Sequence, residues 1–496
     1  MRDLYLAIDV GTGGLRSALV DPDGHILAFS HKEHEQIVPR YGWSEQRPED
    51  WWQGTLATIV DVLGKVEDAA GRVAAICACG QMHGSVLIDD DGNPTLEAVP
   101  LWNDKRTAPQ VGAYRQKHDV AHALALSANM PSTAWPAFKI AWVAENAPDA
   151  LARSSSLLMP KDWINFKLTG LRGQDITEAS LSYLMDWKSR SWSQELCDMA
   201  GVPRNLLPSL SMPGDILGGL APAVAAELGL SSDIPVLVGA GDYPMALLGS
   251  GVIRPGMGSD VTGTSSIITL LHTDAILDPD VSNVLTPNGV WGVMTLLEAG
   301  GDAQRWARRA FHENRRSYEE ISEIATRAET GANGLFFLPY LSGERTGDHR
   351  NSRAQFFGLN AEHGLADLHR AVLEGVAFSV RQVLDKLQGD QGRPERIVAA
   401  SGGAKSRLWL QIKASMYDVP YVVPEELECG VVGAAALMAA STGGAPDIGA
   451  AVARMVRFED EIRPDPAWSA VYDKMMPIYS KLYEHSKAFY EDLDAL

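Results

Sequence analysis

A single acidic residue, Asp242, follows a run of apolar residues near the middle of the chain. The segment Ile234–Gly251 predicts a short buried strand at Ile234–Val238, then a glycine turn, then a helix with Pro244 in its first turn. An unpaired carboxylate in apolar surroundings is costly, so a function is expected for it. Two interpretations stay open on this stretch alone. Asp242 is the N-cap of the helix, or it is a general base that takes a proton from a reacting hydroxyl group.

A second acid, Asp9, precedes a glycine-rich turn near the start of the chain. The segment Leu4–Ala28 predicts a strand, the turn Gly11–Gly14 and a second strand. A hairpin at this point argues against a Rossmann unit, and no GxxxxGK[ST] motif occurs, so P-loop chemistry is excluded. Backbone N–H groups of such a turn can bind phosphate without a cation. An ordinary glycine hairpin is the alternative.

The strand and turn at Asp9 have an echo in the second half of the chain. Asp260–Ser266 reads DVTGTSS, and Asp9–Gly14 reads DVGTGG. Each lies within a predicted strand–turn–strand unit. The repeat indicates a duplicated domain, and chance likeness of two Gly/Thr turns is the alternative.

Further candidate ligand-binding residues follow other predicted strands. The strand Val73–Cys79 leads into GQMHG at Gly80–Gly84, and ligands in α/β sheets collect at such strand ends. His83, within this turn, is therefore favoured as a ligand contact over a core histidine. Trp102 among polar neighbours suits an aromatic wall against a sugar or polyol. The strand Ile397–Ala400 leads into Ser401-Gly402-Gly403-Ala404, a flat surface on which a base or ribose could lie.

The composition describes a globular chain that is too long for one hydrophobic core. It has 496 residues, of which 46% are hydrophobic and 21% charged, so two or more domains are expected. The net charge of −20 argues against nucleic acid or an anionic membrane as a partner. The four cysteines form no CxxC pair, which predicts neither zinc nor disulfides and fits a reducing compartment. Neither a signal peptide nor a membrane-spanning helix is indicated, so a cytoplasmic location is expected.

Together these segments resemble the FGGY carbohydrate kinases, and within them the branch that acts on xylulose. Pro136–Asn146 matches the first family signature, apart from Ala134 at a position that prefers a bulkier residue or Ser/Gly. Ala354–Glu374 matches the second signature throughout. The other matching segments are Trp43–Gln46, Gly80–Gly84, Leu101–Asp104, Phe337–Thr346 and Gly402–Arg407. The resemblance covers nearly the whole chain.

The resemblance implies an α/β fold with two actin/ribonuclease-H-like domains of the ASKHA type, flanking an ATP and sugar cleft. Residues 1–249 would form the domain that binds sugar and carries the base, and residues 250–496 the nucleotide-binding domain. The implied activity is ATP-dependent phosphorylation of a ketopentose, D-xylulose first, with ribulose, erythritol or glycerol as alternatives. The implied ligands are the sugar, ATP and Mg²⁺. The oligomeric state stays open, with a homodimer as one expectation.

Carried over residue by residue, the resemblance implies that Asp242 is the catalytic base and that Asp9 supports Mg²⁺ and phosphate. Met82 and His83 would contact the ketose, beside the Trp102 wall. The implied nucleotide-binding residues are Gly11, Thr12, Gly13, Thr264, Ser265, Gly402, Gly403 and Ala404.

Three departures from the family pattern bear on this prediction. Tyr243-Pro244 replaces the usual Asn-Ala after the base, Ser266 stands where Gly is usual, and Gly347 stands where Pro is typical. The first of these puts the identity of the sugar in question more than the kinase reaction. A nucleotide-gated clamp of the actin/Hsp70 type is the rival from another class, because one fold can serve both. A sugar-binding regulator without phosphoryl transfer is disfavoured by the presence of both acids.

Overall fold

The computed structural model describes residues 2–298, 300–344 and 351–496. The end of the Phe337–Thr346 motif and the departure at Gly347 lie outside the described residues. The strands are β1 Leu4–Val10, β2 Gly14–Val20, β3 Ile26–Glu33, β4 Glu45–Gln46, β5 Val73–Gly80, β6 Val86–Ile88, β7 Val99–Pro100, β8 Ser156–Leu158, β9 Gln174–Asp175, β10 Met185–Asp186, β11 Ser191–Trp192, β12 Leu210–Ser211, β13 Ile216–Gly219, β14 Pro235–Gly241, β15 Met257–Thr262, β16 Ser266–His272, β17 Ser282–Leu285, β18 Trp291–Leu297, β19 Phe336–Leu338, β20 Gln355–Phe357, β21 Arg396–Ala400 and β22 Tyr421–Val422.

The helices are interspersed among these strands along the chain, and several begin with a proline in the first turn. They are α1 Pro48–Lys65, α2 Ala69–Arg72, α3 Ala108–Lys117, α4 Val120–Ser127, α5 Pro136–Asn146, α6 Pro148–Ala152, α7 Pro160–Thr169, α8 Ile176–Ser180, α9 Gln194–Ala200, α10 Pro222–Leu228, α11 Asp242–Gly249, α12 Gly301–His312, α13 Tyr318–Ala325, α14 Leu365–Gln388, α15 Arg407–Tyr417, α16 Cys429–Ser441, α17 Ile448–Met455, α18 Pro466–Ser486 and α19 Tyr490–Asp494. No helix in these described ranges has the length and apolar character needed to cross a membrane.

The chain divides into two compact units, each built from separate stretches of sequence. The first unit holds Met1–Ile253, Thr273–Gly292 and Glu428–Arg457. The second unit holds Arg254–His272, Val293–Leu427 and Phe458–Leu496. The functional assignment of residues 1–249 to sugar and of 250–496 to nucleotide stays a prediction.

The first unit is organised around a mixed sheet with the strand order β13-β14-β5-β1-β2-β3. Strands β1 and β2 form an antiparallel hairpin, whereas β1, β5 and β14 run parallel to one another. Side chains alternate along β1, so Leu4, Leu6 and Ile8 pack on the face covered by α1. Tyr5 and Ala7 pack on the opposite face, against the alanines of α16. With both faces covered, the strands are apolar almost throughout.

The second unit repeats this topology. Its strands follow the order β18-β16-β15-β21-β22. The hairpin of β15 and β16 is antiparallel, and β15, β21 and β22 run parallel, as do β1, β5 and β14 in the first unit. The duplication inferred from the echo of Asp9–Gly14 in Asp260–Ser266 is therefore present in the fold.

Candidate active site

Three parallel strands of the first unit end at one edge of the sheet. In register, Asp9 on β1 lies beside Cys79 on β5, and Gly241 at the end of β14 lies beside Gly80. Asp242 is the residue after Gly241. The two acids predicted to do chemistry and the GQMHG turn after β5 are thus brought to the same edge, where α/β proteins bind ligands.

A β-bulge in β14 sets the approach to Asp242. The register between β14 and β5 shifts between Leu237 and Ala240. Gly239 adopts a φ of 72° there, and a Cβ on it would lie 1.9 Å from the carbonyl oxygen of Ala78. Only glycine fits this position. Bulges of this kind are common beside active sites because they redirect the following side chains.

Asp242 is the first residue of α11 and is partly buried. The N-cap position belongs to Gly241, so the N-cap interpretation of Asp242 is wrong. Its Oδ1 accepts a hydrogen bond of 2.7 Å from the backbone N–H of Tyr243. Burial, and then the charge of Asp9, raise the pKa of Asp242 to about 7. That value suits a general base that works near neutral pH.

The helix that begins at Asp242 is held against α16 by two close backbone contacts. A Cβ on Gly249 would lie 1.8 Å from the carbonyl oxygen of Cys429, and a Cβ on Gly433 would lie 2.2 Å from that of Met245. The small residues of α16 therefore allow close packing of the two helices. Asp242 consequently sits on a rigid element.

Asp9 forms an ion pair with a cation that was not among the predicted site residues. Arg16 lies opposite Asp9 in the hairpin register, and its Nη1 donates to Oδ2 of Asp9 over 3.0 Å. The other oxygen, Oδ1, is buried and has no hydrogen-bond partner. Burial raises the pKa of Asp9 and the Arg16 charge opposes that shift. The period-2 alternation of β2 could have shown that Arg16 faces the same side as Asp9.

The predicted sugar turn contacts the strand that carries the base. Met82 is buried and lies so close to Gly241 that a Cβ on that glycine would be 2.7 Å from its Cγ. His83 is also buried, with a φ of 71°, and its ring meets Trp135 edge-on at 5.0 Å. Its carbonyl oxygen accepts a hydrogen bond of 2.6 Å from Nζ of the buried Lys139. This lysine, from the first family signature, helps to hold His83 in a left-handed backbone conformation.

Trp102 meets the first glycine turn directly. Its indole Nε1 donates to Oγ1 of Thr12 over 3.0 Å. Trp102 is 37% exposed, so part of its surface is open to a ligand. Two residues predicted for different ligands, sugar and phosphate, therefore touch each other in the first unit.

The glycines of the first turn have unequal surroundings. A Cβ on Gly11 would lie 2.9 Å from both Nη1 of Arg16 and the carbonyl oxygen of Gly14. A Cβ on Gly13 would meet nothing within 4 Å. The fold therefore needs glycine at Gly11, whereas the space beside Gly13 is available to a ligand.

The second glycine turn is fixed to the start of α12. The carbonyl oxygen of Gly263 accepts from the N–H of Gly301 at 2.8 Å, and that of Thr264 accepts from Asp302 at 3.0 Å. Nη2 of Arg305 donates to Oγ1 of Thr264 over 3.0 Å. The turn carries no basic residue of its own, but α12 supplies Arg305. Arg305 lies four residues after Gly301, a spacing that places the two on one face of the helix and could have indicated this contact.

Gly402, Gly403 and Ala404 form a helical turn after β21, at the same edge of the second sheet as the Thr264 turn. A Cβ on Gly403 would lie 2.7 Å from Cβ of Thr262, so the two turns are in contact. A Cβ on Gly402 would meet nothing within 4 Å. The nucleotide-binding residues predicted in the second half thus cluster within one unit, with Ser265 on the turn beside Thr264.

Asp260, the counterpart of Asp9, has a different environment. Its Oδ2 accepts from Nζ of Lys413 at 2.7 Å and from the hydroxyl of Tyr421 at 3.0 Å, while Oδ1 accepts from Thr262 at 2.6 Å. All of these groups are buried. Asp260 is therefore bound within the protein, whereas Asp9 keeps one oxygen without a partner. The acid before the turn is therefore structural in the second half, whereas in the first half it keeps an oxygen that could bind a ligand.

A metal site made by the protein alone is not found in the described ranges, where no three His, Cys, Asp or Glu side chains could together hold an ion. A magnesium ion bound with a nucleotide needs less, since it usually takes one or two carboxylates plus phosphate oxygens and water. The unpartnered Oδ1 of Asp9, together with the nearby Asp242 charge, fits such an ion.

The repeated sheet topology, with acids at the strand ends of the first unit, is that of a two-domain ASKHA-type protein. The chain belongs to the FGGY family of carbohydrate kinases. The family's N-terminal domain profile matches residues 4–249 and its C-terminal domain profile matches residues 259–442. The fold class and family predicted from the sequence are confirmed.

The named relatives are full-length matches of modest identity. A xylulose kinase of Staphylococcus epidermidis is 30% identical over 99% of this chain and 99% of its own. The solved xylulose kinase of Rhodospirillum rubrum has a TM-score of 0.92 at 28% identity, covering 98% of this chain and 100% of that one. A gluconate kinase of Lactobacillus acidophilus also has a TM-score of 0.92, at 25% identity over 99% and 100% of the two chains.

Proposed function

We propose that this chain transfers the γ-phosphate of ATP to a ketopentose, with D-xylulose giving D-xylulose 5-phosphate. The observation that carries the proposal is the edge of the first sheet. There Asp242, whose pKa is raised to about 7, directly follows β14. Met82 packs against the end of that strand, and His83 is the next residue after Met82. The xylulose kinases among the relatives support the choice of sugar.

In this mechanism Asp242 accepts the proton of the sugar hydroxyl as that oxygen attacks the γ-phosphorus. A bond from oxygen to phosphorus forms, the bond from the γ-phosphorus to the bridging oxygen breaks, and ADP leaves. General-base catalysis contributes roughly 10²–10⁴-fold. Met82, His83 and Trp102 would orient the sugar, so that the hydroxyl lies close to the base.

The phosphate groups would be held by backbone N–H groups of both glycine turns, at Gly11–Gly13 and at Thr264–Ser265. Arg16 and Arg305 add positive charge beside the two turns. Asp9 would hold Mg²⁺ through Oδ1, and that ion, when bound, neutralises phosphate charge. The nucleoside would lie on Gly402, Gly403 and Ala404.

Two observations bear on which sugar the chain phosphorylates. Tyr243-Pro244 departs from the family pattern directly after the base, and a gluconate kinase is as similar in fold as the xylulose kinase. Ribulose, erythritol, glycerol and gluconate are therefore the alternatives. A substrate panel, with ADP release measured at equal sugar concentrations, tests the choice. D-xylulose should give the highest kcat/KM, and a preference for any other sugar would transfer the assignment to that sugar.

Replacing His83 is expected to impair recognition more than chemistry. His83→Ala should raise KM for the ketose on the order of tenfold and reduce discrimination among sugars, because a polar contact to a hydroxyl is lost. His83→Asn is the companion variant, since asparagine tolerates the left-handed φ of 71°. Initial rates across the sugar panel measure both effects. A fall in kcat with unchanged KM for every sugar would instead assign His83 a role in the chemical step.

The pH profile should show the titration of Asp242. The base must be deprotonated to accept a proton, so kcat/KM for the sugar should fall about tenfold per pH unit below its pKa. Because burial and Asp9 raise that pKa to about 7, the fall should begin near neutral pH and a plateau should lie above it. Initial rates in overlapping buffers, checked for stability at each pH, provide the measurement. A profile that stays flat well into the acid range would contradict the assigned base.

A further inference from the structure

Thr12, in the first glycine turn, is tied by hydrogen bonds to residues that would bind or support the sugar. The hydroxyl of Thr12 accepts from Trp102, and its carbonyl oxygen accepts from Nε2 of Gln46 over 2.6 Å. Gln46 lies on β4 and is only 1% exposed. It is not among the residues predicted to bind the sugar or the nucleotide. A buried amide without hydrogen-bond partners destabilises the fold, so the groups that bond to Gln46 show its role.

The orientation of the Gln46 amide follows from its partners alone. An indole N–H can only donate, so the atom of Gln46 that lies 3.0 Å from Nε1 of Trp51 must be the carbonyl oxygen. A backbone carbonyl can only accept, so the atom near Thr12 must be the NH₂ group. The two requirements agree.

The same oxygen reaches the sugar turn. Oε1 of Gln46 also accepts a hydrogen bond of 2.7 Å from Nε2 of Gln81. Gln81 is 1% exposed and directly precedes Met82 and His83. Gln46 therefore joins the turn that would contact the ketose to the turn that would contact phosphate, through one fixed amide. Both bonds lie within the first unit.

We propose that Gln46 is a positioning residue that couples sugar binding to phosphate binding through the Gln81–Gln46–Thr12 hydrogen bonds. The inference rests on the proposed function, because it needs sugar at one turn and phosphate at the other. When the sugar orders the Gln81 turn, the amide of Gln46 is held in the orientation that fixes the carbonyl of Thr12. By linkage, nucleotide must then strengthen sugar binding by the same factor.

Gln46→Glu isolates the coupling bond. A glutamate of the same shape keeps an oxygen for Trp51 and Gln81 but, in its ionised form, has no hydrogen to donate to Thr12. Because burial raises the pKa of a carboxyl, all variants are compared above neutral pH. His34→Phe is the matched control, because Nε2 of His34 donates to the carbonyl oxygen of Gly11 over 2.8 Å. It supports the same turn but has no bond to Gln81.

The measurement is the dissociation constant of a non-hydrolysable ATP analogue with Mg²⁺, by calorimetry, with and without saturating D-xylulose. In the parent the sugar should tighten the analogue on the order of tenfold, within the usual range of coupling. Gln46→Glu should reduce that ratio to less than about twofold, whereas His34→Phe should weaken the analogue in both states and keep the ratio. An unchanged ratio in Gln46→Glu, or an equal loss in His34→Phe, would overturn the proposal.

The proposed function and this inference fail differently. If the parent phosphorylates no ketose, the proposed function is wrong. The link formed by the Gln81–Gln46–Thr12 hydrogen bonds is then tested on ligand-free protein by amide hydrogen exchange. Gln46→Glu should then speed exchange in both residues 11–14 and residues 80–84, whereas His34→Phe should speed it only in 11–14. If Gln46→Glu sped exchange in only one of the two turns, the link between them would be refuted.

Discussion

Asp242→Asn is expected to lower kcat by on the order of 10²-fold or more while nucleotide affinity stays near that of the parent. Asparagine keeps the shape of the side chain and can still lie at the start of α11. It cannot accept the proton of the sugar hydroxyl. Steady-state rates and calorimetric titration with an ATP analogue would be measured on the same preparation.

Glu178→Gln is the matched control for Asp242→Asn. Glu178 is a fully buried carboxyl of the same unit, and burial raises its pKa well above the ordinary value. Glutamine keeps the shape of this side chain and cannot ionise. Because the charge of Asp242 also raises the pKa of Glu178, the variant tests whether another buried carboxyl near the base is needed for turnover. The control should retain near-parental turnover. A folded Asp242→Asn variant with near-parental kcat would show that another group takes the proton.

Gly13→Val and Gly263→Val are expected to weaken nucleotide binding to a similar degree, about tenfold or more, if each added side chain occupies the place of a phosphate contact. The fold itself should tolerate both changes. A Cβ on Gly13 meets nothing within 4 Å, and a Cβ on Gly263 meets only Oγ of Ser401, at 3.4 Å. Calorimetry with the ATP analogue, alongside the melting temperature of each variant, separates lost binding from lost stability.

Gly112→Val serves as the control for these two variants, because Gly112 also has no neighbour within 4 Å and belongs to helix α3 and not to either turn. It should bind nucleotide as the parent does. Normal affinity in a folded Gly263→Val variant would mean that the second turn does not hold phosphate, and the proposal would keep only the first turn.

The strand ends and the duplication could be predicted from the sequence because their signals are local. Apolar runs that stop at glycines mark where β1, β5 and β14 end, and the two Asp-containing turns reveal the repeat. Parallel strands that end together then bring Asp9, the GQMHG turn and Asp242 to one edge.

The charges around the site could not be predicted in the same way. From the sequence Asp242 stands alone among apolar residues, yet Asp9 is close enough to raise its pKa. Arg16 and Arg305 lie outside the glycine motifs, and Lys413 reaches Asp260 from 153 positions along the chain. Such contacts depend on which strands pair and which helix faces the sheet. Single-sequence patterns fix neither.

The central claim is that phosphate passes from ATP to a sugar, and ³¹P NMR of the reaction tests it most directly. The purified chain would be mixed with ATP, Mg²⁺ and D-xylulose, with a parallel sample lacking the sugar. The account predicts a phosphomonoester resonance that grows in step with ADP only when the sugar is present. ADP accompanied by inorganic phosphate alone, at a rate that does not depend on any sugar of the panel, would contradict it and favour a nucleotide-gated clamp.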